Sequence, residues 1–269
     1  MSGRESGAGL LEARLGDYLA RAGRGSVAVS RFLTPGEQKQ AARWLEAHGA
    51  GLPARFWGGY PGAERRCLFL LPEFYADCGL LPPEDADPGE LLPDPADAPA
   101  ALRVTGSGFC TLTHRDYLGA LLGLGLERDV LGDIAVQNPQ AAVVFCTGTA
   151  AGFLLSSLRK VGADSVGCAL CTPGADFTDG RRYSPLSATV ASARLDCVVA
   201  ALTHLSREEA QRAVRTGLVE LDFEPEERPD RLLSPPLTLS VRGYGRYVLR
   251  AFEGETRRGR LRLRADRLV

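Results

Sequence analysis

The residues best suited to bind a charged ligand lie on one stretch in the last third of the chain. Arg207, Gln211 and Arg215 are spaced i, i+4, i+8, which places them on one face of a helix, with Arg212 beside them. Apolar residues occupy the opposite face: Ala210, Ala213 and Val214. Guanidinium groups next to a helix N-terminus suit phosphate binding. The alternative is a solvated helix face on which Glu208 and Glu209 pair with the arginines.

A second arginine-rich pattern lies at the C-terminus. Residues 241–269 contain nine arginines and three acids, a net charge of +6. In Arg260–Arg264 the arginines alternate with Leu261 and Leu263, so a strand would present three arginines on one face and both leucines to the core. A basic patch of this kind favours a nucleic-acid ligand.

The composition of the whole chain is that of a folded protein. It has 269 residues, 45% hydrophobic and 24% charged, and its formal net charge is -1. These values exclude wholesale disorder, and the length fits two or three compact units. Only Lys39 and Lys160 are lysines among the 32 basic residues. The arginine bias fits phosphate recognition, but a GC-rich coding genome would produce the same bias.

Cysteine and histidine usage argues against a metal or redox centre. The seven cysteines are an odd number scattered through apolar stretches, which is typical of reduced core thiols in a cytosolic protein. Cys168 and Cys171 form a C-x-x-C pair without a second pair or a nearby histidine, and His48, His114 and His204 assemble no recognisable triad or metal cluster. We therefore expect no cofactor, no bound metal and no catalytic residue.

No segment predicts attachment to a membrane. The N-terminus has Arg4 and Glu5 and lacks the apolar region of a signal peptide, and the uncharged run Ala141–Leu158 is too short and polar to span a bilayer. We expect a cytoplasmic protein, monomeric and without membrane contact.

An acidic, proline-rich stretch marks the main boundary. Residues 71–100 contain eight acids, seven prolines and no basic residue, so a long helix or a central strand is excluded there. A weaker break covers Cys171–Ser187. The chain is predicted to be α+β with three domains, 1–95, 96–180 and 185–269.

Local patterns predict the elements of the first domain. A helix is expected over Leu10–Ala22, and another opens at Thr34, where Pro35 and Glu37 complete a capping box. Two short strands are expected around the turn at Gly58–Gly62.

The central domain has a readable order of elements. Strands are expected at Leu102–Cys110, Ile134–Val136, Ala141–Cys146 and Ser165–Cys171, and helices at Thr113–Gly125 and Ala150–Leu158. This β-α-β-β-α-β order is that of the ferredoxin-like fold, which many RNA-recognition modules share. The fold alone does not imply RNA binding, and Phe109 and Phe145 are the only aromatic residues on the expected strands.

The last domain is predicted to begin with two helices and end in strands. The helices cover Ser192–Leu205 and a segment from a Ser206 cap to Gly217, with Glu209 closing a capping box. Strands are expected at Leu218–Phe223, Leu237–Val241, Tyr247–Phe252 and Arg260–Arg264.

These patterns resemble a known family. Ser192–Asp196, Leu205–Arg207, Gly217–Val219 and Ser240–Arg246 resemble an S-four-type RNA-binding domain, named for a small-subunit ribosomal protein. Further upstream, Phe56-Trp-Gly-Gly-Tyr-Pro-Gly-Ala-Glu-Arg65, the His-Arg-Asp-x-Leu-Gly-Ala-Leu block from His114 and Gly132-Asp-Ile134 resemble the bacterial YlmH family.

The resemblance implies a non-enzymatic RNA-binding protein. Its partners would be ribosomal RNA of the large subunit and tRNA or peptidyl-tRNA, in quality control of stalled translation. The motif match and the basic residues beside it give the expected RNA-binding set: Arg194, Asp196, Ser206, Arg207, Gln211, Arg212, Arg215, Arg242 and Arg246. Additional RNA contacts are possible at Arg65, Arg66 and Arg115, although their motifs could instead serve the local turns and helix caps.

Two other function classes stay open at this point. Arg194-Leu-Asp196 is similar to the catalytic motif of pseudouridine synthases, although the Thr-Ser-Gly that should follow it is absent. His114-Arg-Asp116 is similar to a kinase catalytic loop, but Leu121 stands where the loop needs Asn. The two alternatives to a non-enzymatic RNA-binding protein are therefore an RNA-modifying enzyme, and a scaffold for cell-division proteins that needs no catalytic motif.

Overall fold

The computed structural model describes residues 2–49, 51–83, 86–92, 94, 98–174 and 177–269, with side chains from residue 9 onward. Contacts between residues divide the chain into two compact units, Met1–Gly180 and Arg181–Val269. Helices and antiparallel sheets alternate in both units, so the predicted α+β class is confirmed.

The first unit contains five helices and eight strands among its described residues. The helices are α1 (Ser2–Gly23), α2 (Pro35–His48), α3 (Phe74–Asp77), α4 (His114–Gly123) and α5 (Gly148–Ser157). The strands are β1 (Ala28–Val29), β2 (Ala54–Trp57), β3 (Cys67–Leu70), β4 (Pro99–Gly106), β5 (Leu131–Asn138), β6 (Ala141–Thr147), β7 (Lys160–Val161) and β8 (Asp164–Cys171). Pro88–Leu91 and Arg128–Val130 are short 3-10 helices.

A small sheet and two helices form the N-terminal layers of this unit. The predicted capping box opens α2: the Thr34 hydroxyl accepts from the Glu37 amide, and the Glu37 carboxylate accepts from the Thr34 amide at 2.7 Å. Strand β3 lies between β1 and β2 and is buried on both faces. Leu68 and Leu70 face α1 and α2, and Phe69 faces the other way.

The central sheet has the strand order β5-β6-β4-β8-β7, with every pair antiparallel. Without the two-residue edge strand β7, the order is that of a split βαβ arrangement, as the sequence predicted. Helices α4 and α5 cover one face, where Leu102, Tyr117, Val144 and Leu154 form the core.

The second face of the central sheet packs against the N-terminal sheet. Ala101, Ala135, Val143 and Phe145 share one buried cluster with Phe69 and its neighbours, and the rings of Phe145 and Tyr60 lie 4.7 Å apart. The predicted boundary after residue 95 therefore falls inside a unit with a continuous core. The N-terminal and central domains of the prediction thus share one hydrophobic cluster within the first compact unit.

Asp133 holds the two sheets together. Its carboxylate is buried and accepts hydrogen bonds from the Tyr60 hydroxyl at 2.7 Å, the Glu64 amide at 2.7 Å and the Arg65 amide at 3.1 Å. A side chain on Gly59, which has a φ of +98°, would meet the Phe145 ring. The Gly58–Arg65 and Gly132–Ile134 segments therefore contact each other and connect the N-terminal sheet to the central sheet.

The acidic stretch lies against this core with its acids outward. The side chain of Leu92 is buried in the shared cluster, whereas Glu73, Asp77, Asp87 and Glu90 are exposed. Three further acidic residues of this stretch, Glu84, Asp85 and Asp97, lie outside the described residues.

The second unit is a six-stranded antiparallel sheet covered on one face by two helices. Its helices are α6 (Leu195–Thr203) and α7 (Arg207–Arg215). Its strands are β9 (Tyr183–Val190), β10 (Val219–Leu221), β11 (Glu224–Pro225), β12 (Leu237–Val241), β13 (Gly245–Glu255) and β14 (Leu261–Leu268). The strand order is β11-β10-β12-β13-β14-β9.

Strand β9 contradicts the prediction that this unit begins with two helices. It pairs along its whole length with β14, from Tyr183 opposite Leu268 to Val190 opposite Leu261. Pro185 and the adjacent glycines and arginines gave the segment the composition of a loop, but a proline is tolerated on an edge strand. Along β14, Leu263 is buried and Arg262 and Arg264 are exposed, as predicted, whereas Leu261 is half-buried. No helix among the described residues is long and apolar enough to cross a membrane.

Candidate nucleic-acid interface

Local sequence signals place α6 and α7 next to each other. His204 ends α6 in a left-handed conformation with a φ of +60°. The predicted capping box then opens α7: the Glu209 amide donates to the Ser206 hydroxyl at 3.2 Å, and the Ser206 amide donates to the Glu209 carboxylate at 2.8 Å. Ala210, Ala213 and Val214 are buried against α6 and the sheet. The polar stripe of α7 therefore faces outward, as predicted.

Asp196 lies at the centre of the polar residues that α6 and α7 share. Its side chain is 0% exposed. The guanidinium of Arg194 donates through Nε at 3.1 Å and through Nη2 at 3.2 Å, and Gln211 donates through Nε2 at 2.8 Å. Arg207 Nε lies 3.4 Å from the same carboxylate. One buried anion thus fixes two arginines and a glutamine from two helices.

The charge state of Asp196 follows from these contacts. Burial by itself would raise the pKa of its carboxyl, but hydrogen bonds from Arg194 and Gln211 outweigh burial and hold the pKa well below its ordinary value of 3.8. Asp196 is therefore ionised at neutral pH and offsets one of the two guanidinium charges.

The outer surface of this cluster is cationic. Arg194 and Arg207 have side chains that are 35% and 58% exposed, so both can reach a ligand while Asp196 holds them. Arg215 is exposed on the same stripe, one helical turn beyond Gln211. The amide of Arg242 donates to the Leu218 carbonyl at 2.9 Å, which brings this exposed arginine to the C-terminal end of α7.

Several groups that were expected to contact the ligand have a different environment in the structure. Asp196 has no surface of its own, so it acts on a ligand only through its neighbours. The N-terminus of α7 is closed by its own capping box, so the arginine side chains, rather than free amides, form the cationic surface. Arg212 is exposed and lies 3.8 Å from Glu208, a weak helical pair.

Arg246 does not join the helical cluster. It pairs with Ser240 on the sheet face that points away from α6 and α7, and its guanidinium lies 4.9 Å above the Phe223 ring. Arg262 and Arg264 on β14 share that outer face. Arg264 forms an ion pair with Glu253 at 3.1 Å, and Arg260 donates to the Thr189 carbonyl at 2.8 Å.

The three additional candidates of the first unit differ from one another. Arg65 is buried and donates to the carbonyls of Leu131 and Phe32 at 2.9 and 3.1 Å, so its role is structural. Arg66 is half-buried and donates to the Ala63 carbonyl at 2.6 Å. Arg115 is exposed near the start of α4 and is open to a ligand.

The sequence patterns did not reveal a segment that supports α6. The amides of Leu195 and Asp196 donate to the carbonyls of Arg231 and Pro229 at 2.8 and 2.9 Å, and Arg194 pairs with Leu232. This irregular segment satisfies the first amides of α6 and fixes the backbone that carries Asp196. The sequence of residues 229–232 contains no pattern that predicts this contact, because the contact is made through backbone groups.

The C-x-x-C pair cannot hold one metal ion. Cys168 and Cys171 both lie on β8, where an odd separation puts their side chains on opposite faces of the sheet. Burial raises the pKa of both thiols, which disfavours a reactive thiolate. Among the described residues there is no cluster of three or more metal-ligating side chains.

Comparisons with known proteins found three similarities. A family model described as "Putative RNA-binding domain in YlmH" matches residues 104–172. The ribosome-associated protein quality control protein P2 of Bacillus subtilis (strain 168) is 31% identical over 246 residues, which cover 89% of this chain and 86% of that protein. The solved structure of the cell division protein ylmH from Streptococcus pneumoniae matches with a TM-score of 0.48 at 15% identity, covering 64% of this chain and 93% of that one.

The matched segment spans β4 to β8, and the Bacillus relative aligns across most of both chains. At this identity and coverage, the resemblance expected from the sequence motifs is confirmed. The chain belongs to the YlmH family of RNA-binding proteins.

Proposed function

We propose that this protein binds RNA non-enzymatically on the large ribosomal subunit, contacting ribosomal RNA and tRNA or peptidyl-tRNA when translation stalls. The observation that carries the proposal is the α6–α7 cluster, in which a buried anion orders Arg194, Arg207 and Gln211 beneath an exposed arginine surface. Ordered guanidinium groups bind phosphate with less loss of side-chain entropy than free ones. The printed names of the family model and of the Bacillus relative support the same role.

The second unit fits an S-four-type RNA-binding domain under this proposal, and the protein works as a cytoplasmic monomer. The environment of Asp196 favours binding over catalysis. Asp196, the residue that a pseudouridine synthase would use, is fully buried and accepts from Arg194, Gln211 and its own neighbour Cys197. A carboxylate that is saturated in this way has no free lone pair directed at a substrate.

Ribosome association is the first test. Tagged full-length protein should sediment with large ribosomal subunits in a sucrose gradient and should enrich on subunits that hold peptidyl-tRNA. Mild RNase treatment should release it, because the proposed contacts are to RNA. A protein that stayed in the light fractions, or that remained on ribosomal proteins after RNA digestion, would contradict the proposal.

The double variant Arg207→Ala/Arg215→Ala tests the surface itself. We expect RNA affinity to fall about tenfold or more, since each charge-assisted hydrogen bond contributes about 1.5–3 kcal/mol. The slope of log affinity against log salt should fall by about one unit per lost phosphate contact. Titration of labelled ribosomal RNA fragments at several salt concentrations measures both quantities.

Arg24→Ala/Arg159→Ala is the matched control, because both side chains are exposed cations of the first unit. This variant removes the same charge and should change affinity much less. Equal losses in the two variants would mean that net charge, rather than the α7 stripe, drives binding.

A further inference from the structure

The face of the central sheet opposite α4 and α5 is covered by the N-terminal sheet over only half of its area. RNA-recognition modules of this topology bind RNA on this face, through aromatic side chains of the middle strands. Here the corresponding half, at Ala101, Val143 and Phe145, is buried beneath Tyr60 and the N-terminal sheet. A ligand of the matched segment must therefore bind elsewhere.

The other half of the same face is open. Arg103 and Thr105 on β4 are exposed, and their partners across the ladder are Ala169 and Gly167 on β8, which are exposed as well. A side chain built on Gly167 would meet nothing within 4 Å. The small residues make a flat floor on which a ligand backbone can approach the sheet closely.

The charge of this open half is positive. Lys160 on β7 is exposed and lies opposite Ser165, on the same side as Arg103. Strands β4, β6, β7 and β8 contain a single acid, Asp164, which is 1% exposed. Within these four strands Arg103 and Lys160 are exposed and no acid is, a charge pattern that attracts a polyanion.

An exposed aromatic residue lies in the loop that follows β4. The sequence placed Phe109 inside a strand, but β4 ends at Gly106, and the Phe109 side chain is 81% exposed in the following loop. The loop is anchored at both ends. The Ser107 hydroxyl and the Gly108 amide donate to the Asp164 carboxylate, and the Leu112 amide donates to the Pro139 carbonyl at 2.8 Å.

We propose that this open half-face binds a single-stranded segment of RNA. Arg103 and Lys160 contact its phosphates, the Gly167–Ala169 floor admits its backbone, and Phe109 stacks on an unpaired base. Base–aromatic stacking and backbone cations are the usual means of gripping single strands. The inference rests on the proposed function and assigns a second RNA contact to the first unit.

A protein partner fits this surface less well. A peptide that docks on a sheet face needs apolar pockets, but the floor consists of Gly, Ala, Thr and Ser, and the exposed apolar side chain of Phe109 lies in the loop after β4. Protein binding is therefore an outcome of the test rather than the proposal.

The test uses the full chain and a short single-stranded RNA of mixed sequence that carries one fluorescent adenine analogue. Binding to the wild-type protein should quench the analogue as Phe109 stacks on it. Phe109→Leu keeps an apolar side chain, so it should abolish the quench and lower affinity about tenfold. Arg103→Gln/Lys160→Gln should lower the salt slope by roughly 1.4, the value for two phosphates of a single strand.

Matched controls separate this surface from general effects. Phe153 is an exposed aromatic on α5, on the covered side of the sheet, and Arg24 is an exposed cation at the end of α1. Phe153→Leu and Arg24→Gln should leave quenching, affinity and slope unchanged. Photocrosslinking with a thiouridine version of the same RNA should label the tryptic peptide Val104–Arg115 in the wild type.

The outcomes are distinguishable. If the wild-type protein binds neither this RNA nor ribosomal RNA, the proposed function fails. If it binds and Arg207→Ala/Arg215→Ala weakens binding, but Phe109→Leu and Arg103→Gln/Lys160→Gln do not, the function stands and this inference is overturned. Crosslinks confined to residues 181–269, or binding of a ribosomal protein through Phe109 without RNA, would overturn it as well.

Discussion

Replacing Asp196 with alanine should loosen α6 and α7 and weaken RNA binding at the same time. The substitution removes the acceptor for Arg194, Arg207 and Gln211 and leaves two guanidinium groups facing each other. Loss of one partner from a buried ion pair costs about 3–5 kcal/mol. Here Arg194 and Arg207 are partly hydrated, so we expect about 2–3 kcal/mol.

Hydrogen exchange measured by mass spectrometry is the suitable readout. Both tryptophans, Trp44 and Trp57, lie in the first unit, so their fluorescence does not report on α6 or α7. We expect faster exchange across Leu195–Arg215 and an unchanged tryptophan unfolding midpoint. Glu208→Ala, which removes an exposed acid from the same helix, should leave the exchange unaltered.

The pH dependence of this cluster distinguishes charge from shape. The folded-state pKa of Asp196 is below its ordinary value, so its charge adds stability above about pH 4 and that stability is lost as the pH falls through the folded-state pKa. Asp196→Asn keeps the shape and removes the titration. Exchange in α6 and α7 of this variant should respond less to acid than the wild type does below pH 4. An identical response would mean that Asp196 does not order the arginines.

Replacing Asp133 with alanine should destabilise the whole first unit. Three buried or half-buried donors, the Tyr60 hydroxyl and the amides of Glu64 and Arg65, lose their acceptor. An unsatisfied buried donor costs about 1–3 kcal/mol, so a loss of about 3 kcal/mol or more is expected. Trp57 belongs to the same buried cluster as Tyr60, so urea unfolding followed by its fluorescence measures the change.

Asp17→Ala is the control for this prediction, since Asp17 is an exposed acid of α1 and its loss should change the free energy of unfolding by less than about 0.5 kcal/mol. If Asp133→Ala unfolded at the wild-type urea concentration, the contact between Asp133 and the Gly58–Arg65 segment would not stabilise the first unit. The half-buried arginine directly after that segment, Arg66, would then again be a candidate for RNA contact.

The sequence by itself determined the local structure well. The Thr34–Glu37 and Ser206–Glu209 capping boxes were predicted and are present, because each depends on residues three positions apart. Strand Leu237–Val241 was predicted with its observed bounds. The alternation in β14 and the i, i+4 stripe of α7 fixed which side chains face the core, since the period of an element sets its buried face.

The family followed from local patterns too, because its motifs are short runs of residues. The roles of those residues did not follow from the motifs. Arg65 and Asp196 were both expected to reach RNA, but one is buried against backbone carbonyls and the other lies beneath the arginines that it orders. Burial depends on what packs above a residue, and the motif contains no information on that.

Long-range pairing decided the remaining features. Tyr60 and Asp133 are 73 residues apart, and Asp196 and Gln211 are 15 apart, so no local spacing indicates that they meet. Strand β9 has the composition of a loop and becomes a strand because β14 offers it a free edge. The N-terminal sheet covers half of the central one and leaves Arg103 and Phe109 exposed. These outcomes depend on surfaces that exist only after the chain has folded, and a linear sequence specifies them only through the sum of its contacts.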